Sequence, residues 1–206
     1  MDLTWSLRVG ATNSGPKGTW MKLRTMLPAA AVTIGSLLLA AAPAGATTAS
    51  ETLTAGSLGF ASTPGNVNFP STALDGTNKT VTAPQAFDIA DATGSGAGWN
   101  ITATSTTFTS GAHALPTGAT TIASSPGAPT CDPNVTCTVG GSTAVSYPYS
   151  LPAATTAPLA TKMFNAPAGT GMGDQTVTPT WTLAIPANAY AGSYTSTWTL
   201  SLVSAP

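Results

Sequence analysis

IPANAYAGSYTSTWTLSLVSAP, Ile185 to Pro206, is the stretch whose spacing settles what kind of fold the chain can make. From Tyr194 it alternates strictly, with Tyr194, Ser196, Trp198, Leu200 and Leu202 on one side and Thr195, Thr197, Thr199 and Ser201 on the other. A period of two marks a strand with one face on a core and one face in water. The residues just before repeat the pattern. Val177, Pro179, Trp181, Leu183 and Ile185 share one side, and Thr176, Thr178, Thr180 and Thr182 share the other. Trp99, Ile101 and Ala103, opposed by Asn100, Thr102 and Thr104, form a third instance. One apolar and one hydroxyl face is what an antiparallel sheet needs when it covers a core, and threonine keeps strand propensity high without charge.

Outward from these segments, the chain gives almost no support for helices. Proline and glycine interrupt every long window, and Thr and Val dominate between them. The expected strands are Glu51–Leu58, Lys79–Ala83, Gln85–Ala90, Trp99–Phe108, Val135–Val139, Thr143–Ser150, Thr161–Asn165, Thr176–Ile185 and Tyr194–Val203. Turn signals such as Pro64-Gly65-Asn66, Asp75-Gly76 and the Gly94–Gly98 loop separate them, while residues 109–134 read as loop-rich. Many short strands without βα alternation predict an all-β, two-sheet antiparallel β-sandwich-like single domain.

That domain is expected to span residues 47–206. Met21-Lys22-Leu23-Arg24 is basic, Met26 to Ala42 is mostly apolar, and Ala44-Gly45-Ala46 supplies small residues. This three-part order is that of a secretory signal peptide at 21–46, preceded by an upstream translated segment at 1–20. Contact with the membrane is then transient, through the leader. A membrane-spanning reading is weaker, because Pro28 and Gly35 interrupt the apolar run and no basic cluster follows it.

After removal of the leader, the charged residues are Lys79 and Lys162 against Glu51, Asp75, Asp88, Asp91, Asp132 and Asp174. So few cations make nucleic acid a poor partner. Cys131 and Cys137 are the only cysteines, and in an exported chain they predict a disulfide closing a tight turn. The loop is short, so the expected stabilisation is roughly 2–3 kcal/mol at most.

All three tryptophans beyond the leader stand in one grammar: Trp99-Asn-Ile101, Trp181-Thr-Leu183 and Trp198-Thr-Leu200. Sheet periodicity alone produces Trp-x-Leu where one face is buried, so each motif can be core packing. Core packing is the first reading of each, and a glycan contact is the alternative, since an indole face suits the C–H side of a sugar. The combination has a further reading. Asp88 to Pro116, with Trp99-Asn-Ile101, and Ile185 to Pro206, with Trp198-Thr-Leu200 after the lead-in Pro186 to Thr195, together resemble the WxL family. Those are bacterial surface proteins that attach non-covalently to the cell wall. Ile101 in place of leucine and the additional Trp181-Thr-Leu183 are departures from the family pattern. The resemblance implies an exported protein at the cell surface that binds peptidoglycan, with other surface proteins as further partners.

On that reading the ligand-flanking groups would be Asn100 and Thr102, next to a Gly94–Gly98 loop small enough to admit a ligand to its amides. No metal site, cofactor or enzymatic activity is expected. The aspartates lack the dense spacing of a calcium loop and read as turn formers. His113 has no nucleophile motif to serve. Asp88 with Asp174 could be paired for glycoside cleavage only by the fold, and nothing near them in sequence signals split pKa values. From a different class comes a structural or adhesive subunit that pairs edge to edge with its own copies or another surface protein, since uncharged strands defend their edges poorly.

Overall fold

The computed structural model describes residues 47–141 and 144–204, so the expected leader at 21–46 and the segment 1–20 lie outside the described residues. The residues from Ser50 onward form one compact unit. No helix occurs among the described residues. The strands are β1 (Leu58–Phe60), β2 (Lys79–Pro84), β3 (Phe87–Asp91), β4 (Trp99–Thr106), β5 (Thr109–Ser110), β6 (His113–Ala114) and β7 (Thr120–Ile122). They continue as β8 (Thr130–Cys131), β9 (Tyr149–Ser150), β10 (Ala153–Ala154), β11 (Thr161–Ala166), β12 (Gly173–Val177), β13 (Thr180–Ile185) and β14 (Trp198–Ser204). The fold is all-β, as the alternation requires.

Two of the sheets are halves of one bent layer. Their orders are β1-β3-β12-β8 and β2-β13-β7-β9, all antiparallel. The pair β2/β13 runs into the pair β3/β12 through a corner, where Pro84 faces Thr180, Phe87 faces Val177, and the Gln85 amide donates to Pro179 O at 3.0 Å. Proline has no N–H for a ladder, so the expected single strand Thr176–Ile185 breaks at Pro179 into β12 and β13. Its burial pattern nevertheless continues across the break, with Val177, Pro179, Trp181 and Leu183 buried. Strands that change sheets through such a bend are a usual way to close a sandwich corner.

The opposing layer is built on β4. It pairs with β14 along one edge and with β11 and then β10 along the other. The β10 pairing, Ala153 with Ser105 and Ala154 with Thr106, is parallel, a small departure from an antiparallel plan. Between the layers lies the main core, which includes Phe87, Ile89, Trp99, Ile101, Phe164, Val177 and Trp181. Burying each such side chain contributes roughly 1.5–3 kcal/mol, which makes this core the chief source of stability.

Other strand expectations shift for local reasons. The first strand shrinks from Glu51–Leu58 to β1, because residues 51–57 are exposed and have no apolar face to bury. Val135–Val139 forms no strand: Val135 to Cys137 lie in the turn closed by the Cys131–Cys137 disulfide, with Asn134 at φ 64°, and Thr138 exchanges backbone bonds with Gly171 and Met172. Of Thr143–Ser150 only Tyr149 and Ser150 are strand, and Thr143 is outside the described residues. The region 109–134 contains β5 to β8, each too short to show a period.

Candidate functional site

The three tryptophan motifs have different surroundings. Trp99 is 0% exposed, stacks on Phe164 at 5.9 Å, and its indole N–H donates to Gly171 O at 3.0 Å. Gly171 has φ +84°, and a Cβ there would press on the indole nitrogen, so glycine is required beneath the ring. Trp181 is also 0% exposed, and its N–H donates to Gln85 Oε1 at 2.9 Å. Ile101 and Leu183 are buried with them, Leu183 in a smaller cluster with Val81, Leu115 and Ala119. Trp99, Ile101 and Trp181 thus have no surface to offer a ligand, while Leu183 shows a small edge to a depression of about 610 Å³ that Phe69 and Tyr190 also line.

Trp198 is only half-buried. It meets Trp181 edge to face at 4.8 Å and Phe108 at 6.4 Å, and its N–H has no acceptor among the described residues. Nor is that nitrogen one of the buried unpartnered atoms, so it is open to solvent. Leu200, two residues on, is half-buried against the main core.

Asn100 and Thr102, expected to flank a ligand, lie on the outer face of β4 in the middle of its sheet. Asn100 is only 6% exposed and sits between Asn165 and Val203, while half-buried Thr102 sits between Lys162 and Ser201. The Gly94–Gly98 loop also differs from the expected open cradle. Asp91 Oδ1 accepts from the Thr93 amide, Thr93 Oγ1 from the Ser95 amide, and Ser95 Oγ from the Ala97 amide. Its own side chains occupy those donors. Gly98, at φ +77°, abuts the Ala166 and Pro167 backbone, leaving no room for even a Cβ.

What the fold does open is a groove of about 500 Å³ beside Trp198. Its origin is a slip in the pairing of β4 with the last segment. Thr109 bridges Thr195, yet Ser105 pairs with Trp198, so the β4 side carries one more residue than the other. Such a bulge bends a strand and re-aims its side chains. Thr and Ser hydroxyls replace ladder bonds there: Ser196 Oγ donates to Thr106 O at 2.5 Å, and Thr106 Oγ1 accepts from the Thr197 amide at 2.9 Å. This is why β14 begins at Trp198 rather than at Tyr194. The rings of Trp198, Phe108 and Tyr194 line the groove, faced by Asn66 and Asn68 across it. Gln85 Nε2 donates to Gly65 O at 2.7 Å and ties that asparagine segment to the corner. No charged side chain lines the groove.

One acidic cluster was not readable from spacing. Asp88 of β3, Asp174 of β12 and Asp132 after β8 come from adjacent strands and place carboxylate oxygens within 4.8 Å of one another. Asp88 Oδ1 and Asp174 Oδ1 are buried without a hydrogen-bond partner, and Thr176 Oγ1 donates to Asp132 Oδ1 at 3.0 Å. Burial, reinforced by the neighbouring charges of Asp88 and Asp132, raises the Asp174 pKa above the ordinary carboxylate value. Each of the three brings at least one oxygen to the cluster, so a hard cation held there would take its remaining ligands from the second carboxylate oxygens or from water. Asp75 and Asp91, by contrast, are turn formers as expected, each accepting from an amide two residues on. No family model, curated protein or solved structure matches the chain.

Proposed function

We propose that this chain is an exported bacterial surface protein that holds non-covalently to cell-wall peptidoglycan and catalyses no reaction, as its resemblance to the WxL family implies. The observation that carries this reading is the groove at Trp198. Aromatic rings give flat apolar contact, Asn66, Asn68, Thr195 and Thr197 bring amide and hydroxyl groups, and no charge is present. That chemistry suits a neutral, polyhydroxylated ligand, whose ring faces are apolar and whose edges are polar. Trp99 and Trp181 then act by holding the two layers around the groove, and only the last motif touches ligand.

Sedimentation of the chain from Thr47 onward with purified peptidoglycan tests the proposal. Retention is expected, with Trp198→Ala reducing it while the variant still melts cooperatively. A wild-type chain that stays in the supernatant ends the reading.

A second reading, a self-assembling or adhesive subunit, draws on a different observation. No strand pairs with the outer edge of β14 among the described residues, and β14 carries no charge. Such an edge is a template for another strand.

A further inference from the structure

We infer that the stacked rings of His113 and Tyr190 form a second sugar platform beyond the Trp198 groove, so that the ligand is a neutral glycan chain longer than a disaccharide. The inference rests on the glycan-binding reading above. The two rings lie face to face, centroids 3.7 Å apart and planes 12° from parallel, and both are exposed, Tyr190 at 63%. Aromatic pairs favour offset or edge-on contact over a close sandwich, and neither ring is buried by this one. Ring preference and burial therefore do not account for the stack; the backbone holds it. His113 is fixed in the β5/β6 hairpin by pairing with Ser110, and the Tyr190 carbonyl accepts from Tyr194 Oη at 3.0 Å. Gly192 lies tight against the Ser110 side chain, which locks the two segments together.

The platform lines a depression of about 420 Å³, and Tyr194 lines both this depression and the Trp198 groove. A chain that leaves the groove past Tyr194 meets the open outer face of a ring. His113 is the only ionisable side chain besides tyrosines in either lining, so the continuous surface again favours a neutral saccharide over a charged polymer. Fixing two rings before the ligand arrives also spares the binding step the entropy of ordering them.

Calorimetric titration with the disaccharide and the hexasaccharide of N-acetylglucosamine distinguishes this inference from the reading beneath it. The wild-type chain is expected to bind the hexasaccharide more tightly. Tyr190→Ala, at an exposed position, should weaken hexasaccharide binding roughly three- to tenfold and leave the disaccharide unchanged. Tyr190→Phe should keep the wild-type affinity for both, and Trp198→Ala should weaken both. If Tyr190→Ala leaves the hexasaccharide affinity as it was, the platform is dismissed and the groove reading stands. Wall retention without binding of either oligosaccharide also dismisses the platform, whereas loss of both retention and binding in the wild-type chain removes the groove reading and the platform together.

Discussion

Trp181 and Trp198 meet edge to face, with ring centroids 4.8 Å apart and planes at 67°. The contact joins β13 of the bent layer to β14 of the opposing layer, so one ring closes the core from inside and the other caps it from the rim. Two identical Trp-Thr-Leu triplets thus perform different tasks. The inner ring has its N–H satisfied by Gln85, and the outer one keeps its N–H free among the described residues.

Substitution by alanine should separate these tasks. Trp99→Ala and Trp181→Ala each remove a fully buried ring and should cost about 3–5 kcal/mol. Trp198→Ala should cost only about 1–3 kcal/mol, since part of its ring already faces water. Urea unfolding of the three variants gives the order. Equal losses at all three would mean that Trp198 is as much a core residue as the others.

The alternation in Tyr194 to Val203 and in Thr176 to Ile185 announced which faces are buried, because a pleated strand keeps that signal whatever it pairs with. It could not announce the break at Pro179, since the proline stays on the inward side and burial alternates straight through it. The groove was hidden for a similar reason. Trp198 was named from its motif, but Asn66 and Asn68 lie more than a hundred positions away, and the bulge that opens the space arises from a pairing slip with Thr106–Thr109. The Asp88, Asp132 and Asp174 cluster depends on the order of three strands, which no local pattern encodes. The place of Asn100 between Asn165 and Val203 was not legible either, because a motif position beside Trp99 says nothing about the strands flanking β4.

Gln85 is the second test of the corner. It accepts from Trp181 Nε1 and donates to Gly65 O, so Gln85→Ala leaves a buried indole N–H without its acceptor. A loss of about 1–3 kcal/mol is expected from that group alone. Because the same side chain anchors the Asn66 segment, wall retention should fall in Gln85→Ala more than in a Val81→Ala control of similar stability, measured at a temperature where both are folded.

The acidic cluster sets a pH dependence whose sign can be worked out. Folding raises the pKa of Asp174, chiefly through burial and then through the charges of Asp88 and Asp132, so the folded chain holds that proton more tightly. Its stabilising effect is therefore complete below the unfolded value, about 4, and is lost as pH rises through the folded value. Asp75 acts oppositely: the hydrogen bond from Lys79, followed by those from Thr77, depresses its pKa, and its contribution fades as pH falls below about 4. That pair is exposed and contributes little. Melting at about pH 4 should thus occur higher, as far as Asp174 is concerned, than at pH 7, and Asp174→Asn should shrink the difference by stabilising the chain at pH 7. An unchanged difference in Asp174→Asn would locate the pH dependence elsewhere.

The edge of β14 supplies the last prediction. Thr195 and Thr197 turn their backbone groups toward Thr109 and Thr106, so by alternation those of Trp198, Leu200 and Leu202 point away from β4. No described strand pairs with them, although β1 packs close to β14, and the exposed side chains beside them, Thr199, Ser201 and Val203, carry no charge. If copies of the chain pair through this edge, sedimentation velocity should show an oligomer that grows with concentration. Thr199→Lys with Ser201→Lys should return it to monomer, since like charges brought together across a new strand pair oppose pairing. These positions face water, so the double variant should keep its melting temperature and its wall retention. A wild-type chain that stays monomeric throughout would leave the edge without a role and withdraw the assembly reading, while the groove at Trp198 would be judged on its own binding data.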